Sequence, residues 1–520
     1  MGWIDSRGQV VVSSYDHRTG VRTRAVLRIG ERVDDHNNPS LTVRPDGRLL
    51  VFYSTQRRRN LVHRVSRRPE DVTGWRKARK VRTNVPGRHG YTYPNPVWLA
   101  DEPRPLFLFW RGGSFEPTFS SSVNGRSWSR ARRFVDGNGQ RPYFVFNSNG
   151  RDRIHMAFGD GNPNELRTSI YYMTYRNGWL RGAGGGRIGR LGGAPVKPGD
   201  ADVVYEGGES RPPAWAYDVG VDHNGMPVVL YGTFPSSTDH RYNYARWNGA
   251  RWVSHQITPS GPTIEKVKGD QYYAGGMVLD SRNASVVYLS RRVGGSYQVE
   301  RWVTRDGGES WRSRPVTSGS GGNYRPVSVQ GRGFGRTYDL FWMHGRYDTW
   351  LDFGTSIRTR LRRPSRVPNA AFRVSRGRGR TVTFTGAAAG HRTWRFGDGS
   401  VAIGRRISHQ YRRKGRYSVV STLFRGGRRD VFVREVKVRR SRPQAARLGP
   451  VARLVGDQLV RALGPVTQDR PRVARVDDLL HAEPLGRAEG RPDRVEPLLD
   501  LRTKRLGIVG RLELAPVGGL

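Results

Sequence analysis

The sequence contains no cysteine among its 520 residues. It can therefore form no disulfide, offers no thiol nucleophile and supplies no cysteine ligand to a metal. No segment approaches the roughly 20 consecutive apolar residues that a membrane-spanning helix needs, so membrane insertion is not expected. Residues 1–5, MGWID, carry neither the basic start nor the apolar core of a signal peptide. These absences exclude disulfide scaffolds, cysteine enzymes and helical membrane proteins.

Acidic residues and lysine are also scarce. The chain has 44 Asp and Glu against 90 Lys and Arg, for a formal net charge of +46, and only eight of the basic residues are Lys. The planar guanidinium of Arg binds carboxylate, sulfate or phosphate in a bidentate manner, which Lys cannot do. The composition favours a polyanionic partner, although codon bias in a GC-rich genome explains it equally well. Nucleic acid is not expected, because the chain lacks an aromatic RNA-stacking motif and a helix-turn-helix signature.

A repeated two-strand phrase organises the first 356 residues. An apolar strand follows a Pro or Gly, and a polar turn leads to a second strand that ends in aromatics. Copies begin at Asn38, Asn95, Arg141, Ala216, Gly275 and Arg325. A third strand follows each copy and usually closes on a Trp, at Trp75, Trp128, Trp179, Trp252 and Trp311. Short, evenly spaced strands with one Trp turn per set predict an all-β protein with a seven-bladed β-propeller.

The clearest closing turn is TRDGGESW, residues 304–311. It fits the Asp-box pattern Ser/Thr-x-Asp-x-Gly-x-x-Trp, in which the carboxylate caps the turn and the Trp packs between blades. SSVNGRSW, residues 121–128, is a degenerate version. Both turns are informative about the fold and carry no chemistry of their own.

The first blade is a partial copy of the phrase. Residues 2–20, GWIDSRGQVVVSSYDHRTG, match the end of a second strand and then a third strand. The chain is therefore expected to begin inside its first blade, with the innermost strand and a signal peptide upstream. The absence of cysteine is compatible with export, so we expect an extracellular protein, and a monomer.

Three segments follow the propeller, which is expected at residues 1–358. A Pro/Arg linker occupies residues 359–368. Residues 369–440 contain WRFGDGS and then HQYRRKGRYSV; these motifs resemble the PKD domain, which implies a small immunoglobulin-like β-sandwich. Residues 441–520 contain no Phe, Trp, Tyr, Asn or Met, so we expect a low-complexity, disordered tail.

Polar and aromatic residues cluster where the inner strands begin, which is where a propeller has its central mouth. Aromatic faces can stack on sugar rings and Arg binds acid groups, so these clusters predict a groove for an acidic polysaccharide. The candidate substrate-binding residues are His36, Asn38, Tyr91, Tyr93, Asn95, Arg111, Arg141, Trp215, Tyr217, His240, Arg241, Tyr273 and Arg325.

Several of these residues have a second interpretation. His36 could equally brace its strand, and His240 could bind a metal or a ligand. No cofactor is required, but Asp34, Asp35 and Asp218 could hold a structural Ca²⁺ through their carboxylate oxygens.

The phrases DDHNNPSLTVRPDGRLLVFYS, TYPNPV, LFWRGG, DHRYNYARWNGARW and VVYLSRRVGG resemble the BNR-repeat propeller family that includes the ulvan lyases and the rhamnose–glucuronate lyases. The resemblance covers roughly residues 1–356. It implies a seven-bladed propeller that cleaves a uronate-containing glycan by β-elimination.

The same resemblance suggests catalytic residues. His89 and Tyr171 would serve as base and acid, and Arg187 would neutralise the uronate carboxylate. Tyr172 and Arg190 compete with the last two for their roles. The ulvan lyases carry a second His one strand further on, where this chain has the dipeptide WR at 110–111, so a change of substrate or a loss of catalysis stays open.

Two other functions remain alternatives. A non-catalytic glycan-binding propeller would keep the aromatic and Arg groove and tolerate the missing His. A sialidase-like hydrolase would need an Arg triad and a Tyr–Glu nucleophile pair, and no string in the sequence fits them. A propeller fold cannot choose among these functions by itself.

Overall fold

The computed structural model is all-β in the part of the chain that it describes. Its secondary structure there consists of β-strands and two short 3₁₀ helices, Asp35–Asn37 and Pro198–Asp200. No helix in these residues is long and apolar enough to cross a membrane. The described residues are 1–15, 22–29, 31, 33–54, 61–81, 91–266, 270–329, 340–360, 369–377, 379–425, 428–439 and 509–511.

The repeated phrases form successive antiparallel sheets, the blades of a propeller. Blade 1 contains β1 (Gly2–Ile4), β2 (Val10–Tyr15) and β3 (Arg22–Arg28). Blade 2 contains β4 (Ser40–Val43), β5 (Arg48–Ser54), β6 (Leu61–Pro69) and β7 (Arg79–Val81). Blade 3 contains β8 (Thr92–Trp98), β9 (Leu106–Arg111), β10 (Pro117–Ser122) and β11 (Arg132–Arg133).

Blade 4 is the widest sheet. It contains β12 (Tyr143–Ser148), β13 (Arg153–Gly159), β14 (Ile170–Arg176), β15 (Trp179–Arg181), β16 (Arg187–Arg190) and β17 (Asp202–Tyr205), the last pairing with β14. Blade 5 contains β18 (Ala214–Val221), β19 (Pro227–Thr233), β20 (His240–Trp247) and β21 (Trp252–Gly261).

The last two blades complete the propeller. Blade 6 contains β22 (Met277–Asp280), β23 (Asn283–Val293), β24 (Ser296–Val303) and β25 (Arg312–Pro315). Blade 7 contains β26 (Asn323–Ser328), β27 (Leu340–Tyr347) and β28 (Phe353–Thr359). Within the described residues this makes seven blades, which confirms the predicted seven-bladed propeller.

The strand assignment in blade 1 was wrong. β1 pairs with β2 through a turn in which the Asp5 N–H donates to Gln9 O. The same turn joins β4 to β5, with Arg44 N–H donating to Arg48 O, and β18 to β19. β1 and β2 are therefore the first and second strands of their blade, not the second and third, and β3 supplies the third strand.

Closing Trp residues hold neighbouring blades together. Trp128 of blade 3 lies 5.8 Å from the ring of Phe52 in blade 2. Trp252 of blade 5 lies 5.1 Å from Tyr172 in blade 4, and Trp311 of blade 6 lies 5.3 Å from Tyr244 in blade 5. Trp75 of blade 2 lies in a buried cluster with residues of blade 1, among them Val10 and Leu27.

Trp179 is the exception among the predicted closing residues. It lies under the guanidinium of Arg187 on its own blade, at 4.3 Å. Trp179 begins β15, as Trp252 begins β21, but its ring packs on a residue of its own blade and not on the neighbouring blade.

The Asp box of blade 6 has the predicted capping geometry. Asp306 accepts hydrogen bonds from the Thr304 hydroxyl at 2.7 Å and from the Ser310 N–H at 3.0 Å. The Trp311 indole N–H donates to the Gly308 carbonyl at 2.9 Å. Gly308 has a φ of 109°, a conformation that favours glycine. The turn therefore fixes where Trp311 meets blade 5.

A β-sandwich follows the propeller. One sheet orders β29 (Phe372–Arg376), β30 (Thr381–Gly386) and β33 (Arg406–Gln410). The other orders β32 (Val401–Ile403), β31 (His391–Arg395), β34 (Gly415–Arg425) and β35 (Arg428–Val438). Trp394 and Phe396 of the PKD-like motif are buried between the sheets together with Tyr411, which explains why the motif needs aromatics at these positions.

Most of the linker and the C-terminal segment lie outside the described residues. Of the predicted linker only residues 359 and 360 are described, and of the predicted disordered tail only β36 (Val509–Arg511). β36 pairs in parallel with β4. The prediction of disorder for the rest of the tail stays a prediction.

Trp311→Ala is expected to lower the free energy of unfolding of the propeller by about 2–3 kcal/mol, because it removes the packing of Trp311 on Tyr244 between blades 6 and 5. Thermal and urea unfolding of the variant would measure the loss. Trp179→Ala is the matched control, since Trp179 lies on an Arg of its own blade, and it should cost clearly less. Equal losses for the two variants would contradict the interblade role of Trp311.

Buried histidines predict a loss of stability in acid. Burial and the nearby charge of Arg79 lower the pKa of His63 from 6.5 to about 4, and the His63 ring lies between Phe52 and Trp128. The imidazole of His63 therefore binds a proton more readily in the unfolded chain than in the folded protein. The free energy of unfolding then falls as the pH drops from 6.5 towards 4.

The non-titrating variant His63→Leu is expected to remove on the order of 3 kcal/mol of this acid-induced loss. Urea unfolding at pH 7.5 and at pH 4.5 would measure the difference between the two conditions. A variant that loses as much stability as the unchanged protein between these pH values would refute the assignment.

Candidate functional site

A cavity opens at the starts of the inner strands, at the centre of the propeller; we call it the mouth. Six blades, 2 to 7, contribute residues to its lining. Nine of the predicted substrate-binding residues line it: His36, Asn38, Tyr93, Asn95, Arg111, Trp215, Tyr217, Tyr273 and Arg325. The alignment of the repeated phrases therefore locates most of the mouth correctly.

A circuit of aromatic rings surrounds the mouth. The centroids of successive rings lie between 5.2 and 6.4 Å apart. In order, the rings are those of His36, Tyr93, Tyr143, Trp215, Tyr273 and Tyr347. Trp350, three residues after Tyr347, lies 5.4 Å from His36 and returns the circuit to blade 2. The rings thus pack on one another from blade to blade.

Irregular inner strands direct side chains into the mouth. The register of β8 shifts between Thr92 and Asn95, and that of β26 shifts between Tyr324 and Val327. Within these bulges Tyr93 has a φ of 57° and Arg325 a φ of 51°. Each precedes a proline, and bulky residues rarely adopt this backbone conformation. Such strain concentrates at functional sites, where the surrounding structure maintains it.

Arg111 enters the mouth from the end of β9. Its side chain is buried, with only 6 % of the residue exposed. The guanidinium lies 4.6 Å from the ring centroid of Tyr93, 5.0 Å from that of Phe115 and 5.9 Å from that of Tyr143. Aromatic faces stabilise a cation, and rings packed on the guanidinium restrict the orientation of its plane.

Arg325 enters the mouth from blade 7. Its guanidinium lies 4.8 Å from the ring of Tyr273 and 4.7 Å from that of Tyr347, and it donates to the Tyr347 hydroxyl at 2.9 Å. Gly276 has a φ of 96°, and a Cβ there would lie 3.3 Å from the Cα of Arg325. Glycine at this position therefore lets the Arg325 backbone approach blade 6.

His36 lines the mouth, and its imidazole is paired with the buried carboxylate of Asp34. Its ring nitrogen Nδ1 is paired with the carboxylate of Asp34, and its backbone N–H donates to the same carboxylate at 2.9 Å. Both residues are buried. Such a pair fixes the orientation and the tautomer of an imidazole, as metal-free catalytic dyads require.

The charge of the mouth is positive. Arg111, Arg325 and His36 line it, whereas none of the described residues that line it is Asp or Glu. The carboxylates of Asp34 and Glu265 lie one layer back, Glu265 accepting from the Tyr347 hydroxyl at 3.4 Å. A low-dielectric cavity with this charge distribution suits an anionic ligand.

Four predicted binding residues do not line the mouth. Tyr91 is buried in the core, with its ring 6.3 Å from that of Trp110. Arg141 lies beside the mouth, where it pairs with Glu165 and contacts the ring of Phe115 at 5.3 Å. The remaining two are His240 and Arg241 of β20.

His240 and Arg241 have structural partners. His240 is buried, its Nε2 bonds to the Gln271 carbonyl at 2.9 Å, and burial lowers its pKa to about 4. Arg241 is exposed and pairs with Asp239 at 2.6 Å. Their side chains therefore point to the core and to solvent.

Of the three residues suggested for catalysis, the structure describes Tyr171 and Arg187, and it places neither in the lining of the mouth. His89 lies outside the described residues. Tyr171 is half-buried in blade 4, where its ring lies 5.5 Å from that of Phe158 and burial together with Asp160 raises its pKa. Arg187, on β16, lies over Trp179. Neither Tyr171 nor Arg187 lines the mouth, and their catalytic roles stay predictions.

Their two competitors lie in the same blade. The hydroxyl of Tyr172 is 2.6 Å from Nδ1 of His155, and burial raises its pKa. Arg190 lies 5.1 Å from the ring of Trp179. Neither residue lines the mouth.

Two of the three carboxylates suggested for Ca²⁺, those of Asp34 and Asp218, have other partners. Asp34 is paired with His36, and Asp218 accepts from the N–H groups of Val219 and Leu279, at 2.7 and 3.0 Å. Among the described residues, no group of three or more His, Asp or Glu is placed to hold a metal ion. Asp218 thus links blades 5 and 6, and a bound Ca²⁺ stays a prediction.

Sequence reasoning missed several residues of the mouth. Tyr143 follows Pro142 at the position that Ser40, Val97 and Val327 occupy in three other copies, so the alignment of phrases marked this Tyr as unusual. Tyr347 and Trp350, from the end of β27 and the turn after it, and Phe115, from the turn after β9, pack against residues that line the mouth. No pattern in the repeated phrases marks these three residues as neighbours of the mouth.

Comparisons with known proteins identify both domains. The profile of BNR repeat-containing family members matches residues 1–260, and the PKD domain profile matches residues 369–425. No curated protein sequence matches the chain.

Many solved structures are similar to the chain, and three serve as examples. One is the polysaccharide lyase Uly1, with 13 % identity and a TM-score of 0.43, over 69 % of this chain and 86 % of that one. Another is the β-propeller domain of the Trilobed protease from Pyrococcus furiosus, with 11 % identity and a TM-score of 0.35, over 69 % and 90 %. A GH74 enzyme from Niastella koreensis has 13 % identity and a TM-score of 0.36, over 82 % and 61 %.

The PKD match confirms the identity of the β-sandwich after the propeller. The BNR match spans half of the 520 residues, and the protein therefore belongs to the BNR repeat-containing family.

Proposed function

We propose that this protein is an extracellular propeller that binds an acidic, uronate-containing polysaccharide in the mouth and cleaves it by β-elimination. The observation that carries the proposal is the lining of the mouth, which has two buried Arg and one His and, among the described residues, no carboxylate. A negatively charged sugar fits such a cavity, whereas the two-carboxylate machinery of most glycoside hydrolases has no counterpart in it.

β-Elimination needs three groups around one uronate. A cation neutralises the carboxylate and makes the neighbouring C–H more acidic, a base removes that proton, and an acid protonates the leaving glycosidic oxygen. The electron pair of the broken C–H bond forms the new C=C bond as the C–O bond breaks. The products are a shortened chain and an unsaturated uronate.

We assign these roles to His36, Tyr93 and Arg111, which line the mouth. The rings of His36 and Tyr93 are 5.6 Å apart, and the Arg111 guanidinium is 4.6 Å from the Tyr93 ring. The Asp34 carboxylate holds the imidazole of His36 and stabilises it once it is protonated. In this proposal His36 is the base, Tyr93 is the acid and Arg111 binds the uronate carboxylate.

This assignment differs from the one that the sequence suggested. Tyr171 and Arg187 are replaced by residues that line the mouth, because a proton-transfer group must come within hydrogen-bond reach of the substrate. His89, two residues before Tyr91 in the chain, remains a further candidate.

A non-catalytic glycan-binding propeller is the second candidate. It is favoured by the packing of the aromatic circuit, in which Tyr143, Trp215 and Tyr273 contact one another. Such a rigid, positively charged cavity would bind an acidic glycan whether or not a proton is transferred.

His36→Ala is expected to reduce the rate of cleavage at least about 100-fold, the usual effect of removing a general base. The unsaturated uronate absorbs ultraviolet light, so absorbance over time with ulvan, polygalacturonate, alginate and hyaluronan would measure cleavage. His240→Ala is the matched control, since His240 is equally buried but lies off the mouth.

Three results would separate the candidates. A rising signal that depends on His36 and not on His240 supports the lyase. A flat trace on every substrate with binding retained makes the protein a glycan-binding propeller. Cleavage that produces no absorbance would indicate hydrolysis and overturn the proposed chemistry.

Arg111→Met is expected to weaken binding of an acidic oligosaccharide by about 10- to 100-fold, because it removes a charge-assisted hydrogen bond from a buried site. Calorimetric titration would measure the dissociation constant. Arg241→Met is the matched control, since Arg241 is exposed and paired with Asp239. Equal effects of the two substitutions would indicate that only the net charge matters.

A further inference from the structure

Phe115 lies in the turn that joins β9 to β10, and its backbone is strained. Its φ is 64°, in the left-handed region that bulky residues rarely adopt. The Phe115 N–H donates to Gly112 O at 3.0 Å, and the Gly112 N–H donates to Glu116 O at 2.7 Å. Hairpin turns that need a positive φ usually place glycine there, and Gly112 does not have one. The turn therefore carries an aromatic ring where a glycine would be less strained.

The ring of Phe115 contacts two guanidinium groups. That of Arg111, which lines the mouth, lies 5.0 Å from the ring centroid, and that of Arg141 lies 5.3 Å from it. Arg141 is paired with Glu165. Arg141 precedes β12 and Glu165 follows β13, so both belong to blade 4. The ring of Phe115 thus connects Arg111 of blade 3 to an ion pair of the next blade.

Phe115 differs from the other rings around Arg111. Tyr93 and Tyr143 also contact its guanidinium, but they line the mouth and would meet a ligand themselves. Phe115 is not among the lining residues, so its effect on a ligand has to pass through Arg111. A guanidinium forms two parallel hydrogen bonds with a carboxylate only when the two groups share a plane. A plane that is set before the ligand arrives lowers the entropy cost of binding.

We propose that Phe115 is a positioning residue, whose ring holds the guanidinium of Arg111 in the orientation in which it binds an acid group of the ligand. The inference rests on the proposed function, because it requires an acidic ligand at Arg111. It accounts for the strained backbone, since such strain is maintained where it serves a site. It also adds a residue outside the lining of the mouth to those that determine affinity for an acidic glycan.

The test is a double-mutant cycle between Phe115→Leu and Arg111→Met. Calorimetry would measure the dissociation constants for oligomers of galacturonate, guluronate and a sulfated glucuronate. Leu keeps the apolar bulk and lacks the aromatic face, so Phe115→Leu is expected to weaken binding by about 3- to 10-fold, the usual effect of losing a desolvated cation–π contact. In the Arg111→Met background the same substitution should have no effect, because the cation on which Phe115 acts is gone.

Trp179→Leu is the matched control. The ring of Trp179 also contacts two guanidinium groups, those of Arg187 and Arg190, at 4.3 and 5.1 Å. None of these three residues lines the mouth, so Trp179→Leu should bind acidic oligomers as the unchanged protein does. Phe115→Gly is a second variant, which removes the ring and the backbone strain together. It should lose the same affinity as Phe115→Leu, because both variants lack the aromatic face.

The outcomes separate positioning from general packing. A loss of affinity in both Phe115 variants that disappears in the Arg111→Met background supports the inference. Equal affinity of either Phe115 variant and the unchanged protein overturns it and leaves the proposed function intact. A loss that persists in the Arg111→Met background, or that Trp179→Leu shares, also overturns it, because a general change in packing would then explain the effect.

Failure of the proposed function would give a different result. The unchanged protein would then bind none of the acidic oligomers, or would bind only neutral xylan or arabinan oligomers. Either result overturns the acidic-glycan proposal, and the inference fails with it because no acid group would bind to Arg111.

Discussion

Packing between aromatic side chains holds the centre of this propeller together. Backbone hydrogen bonds join strands within a blade and a few join neighbouring blades, such as that from Arg325 N–H to Gly275 O. Aromatic side chains add contacts between blades at the closing Trp residues and at the aromatic circuit. The contact between His36 and Trp350 links blade 2 to blade 7. Because each ring is held by the next, the geometry of the mouth depends on six blades at once.

This dependence explains how the mouth can hold two buried guanidinium groups. Arg111 and Arg325 are each held against at least two aromatic rings, which offset part of the cost of removing a cation from water. The same rings that close the propeller therefore position its charges. A change in one ring is expected to alter both stability and ligand binding, so the two effects have to be measured separately.

Much of the fold was predictable from the sequence, because the repeated phrase records one structural unit seven times. Pro94 and Pro326, in the inner strands β8 and β26, marked the positions of Tyr93 and Arg325, and the PKD motif marked the sandwich. Tyr171 and Arg187 were harder to place, since separation along the chain does not tell which strands of blade 4 reach the axis. Tyr347 and Trp350, which pack on rings of the mouth, were missed because they lie beyond the repeated two-strand phrase of blade 7.

The backbone of Tyr93 and Arg325 lies in a region that such residues avoid, and both are followed by proline. A free chain would leave this conformation, so the surrounding blades must impose it before any ligand arrives. A ligand then meets a mouth that is already ordered and loses little entropy in organising it. Substitutions in the mouth should therefore change mainly the dissociation rate of a bound ligand, and only weakly its association rate.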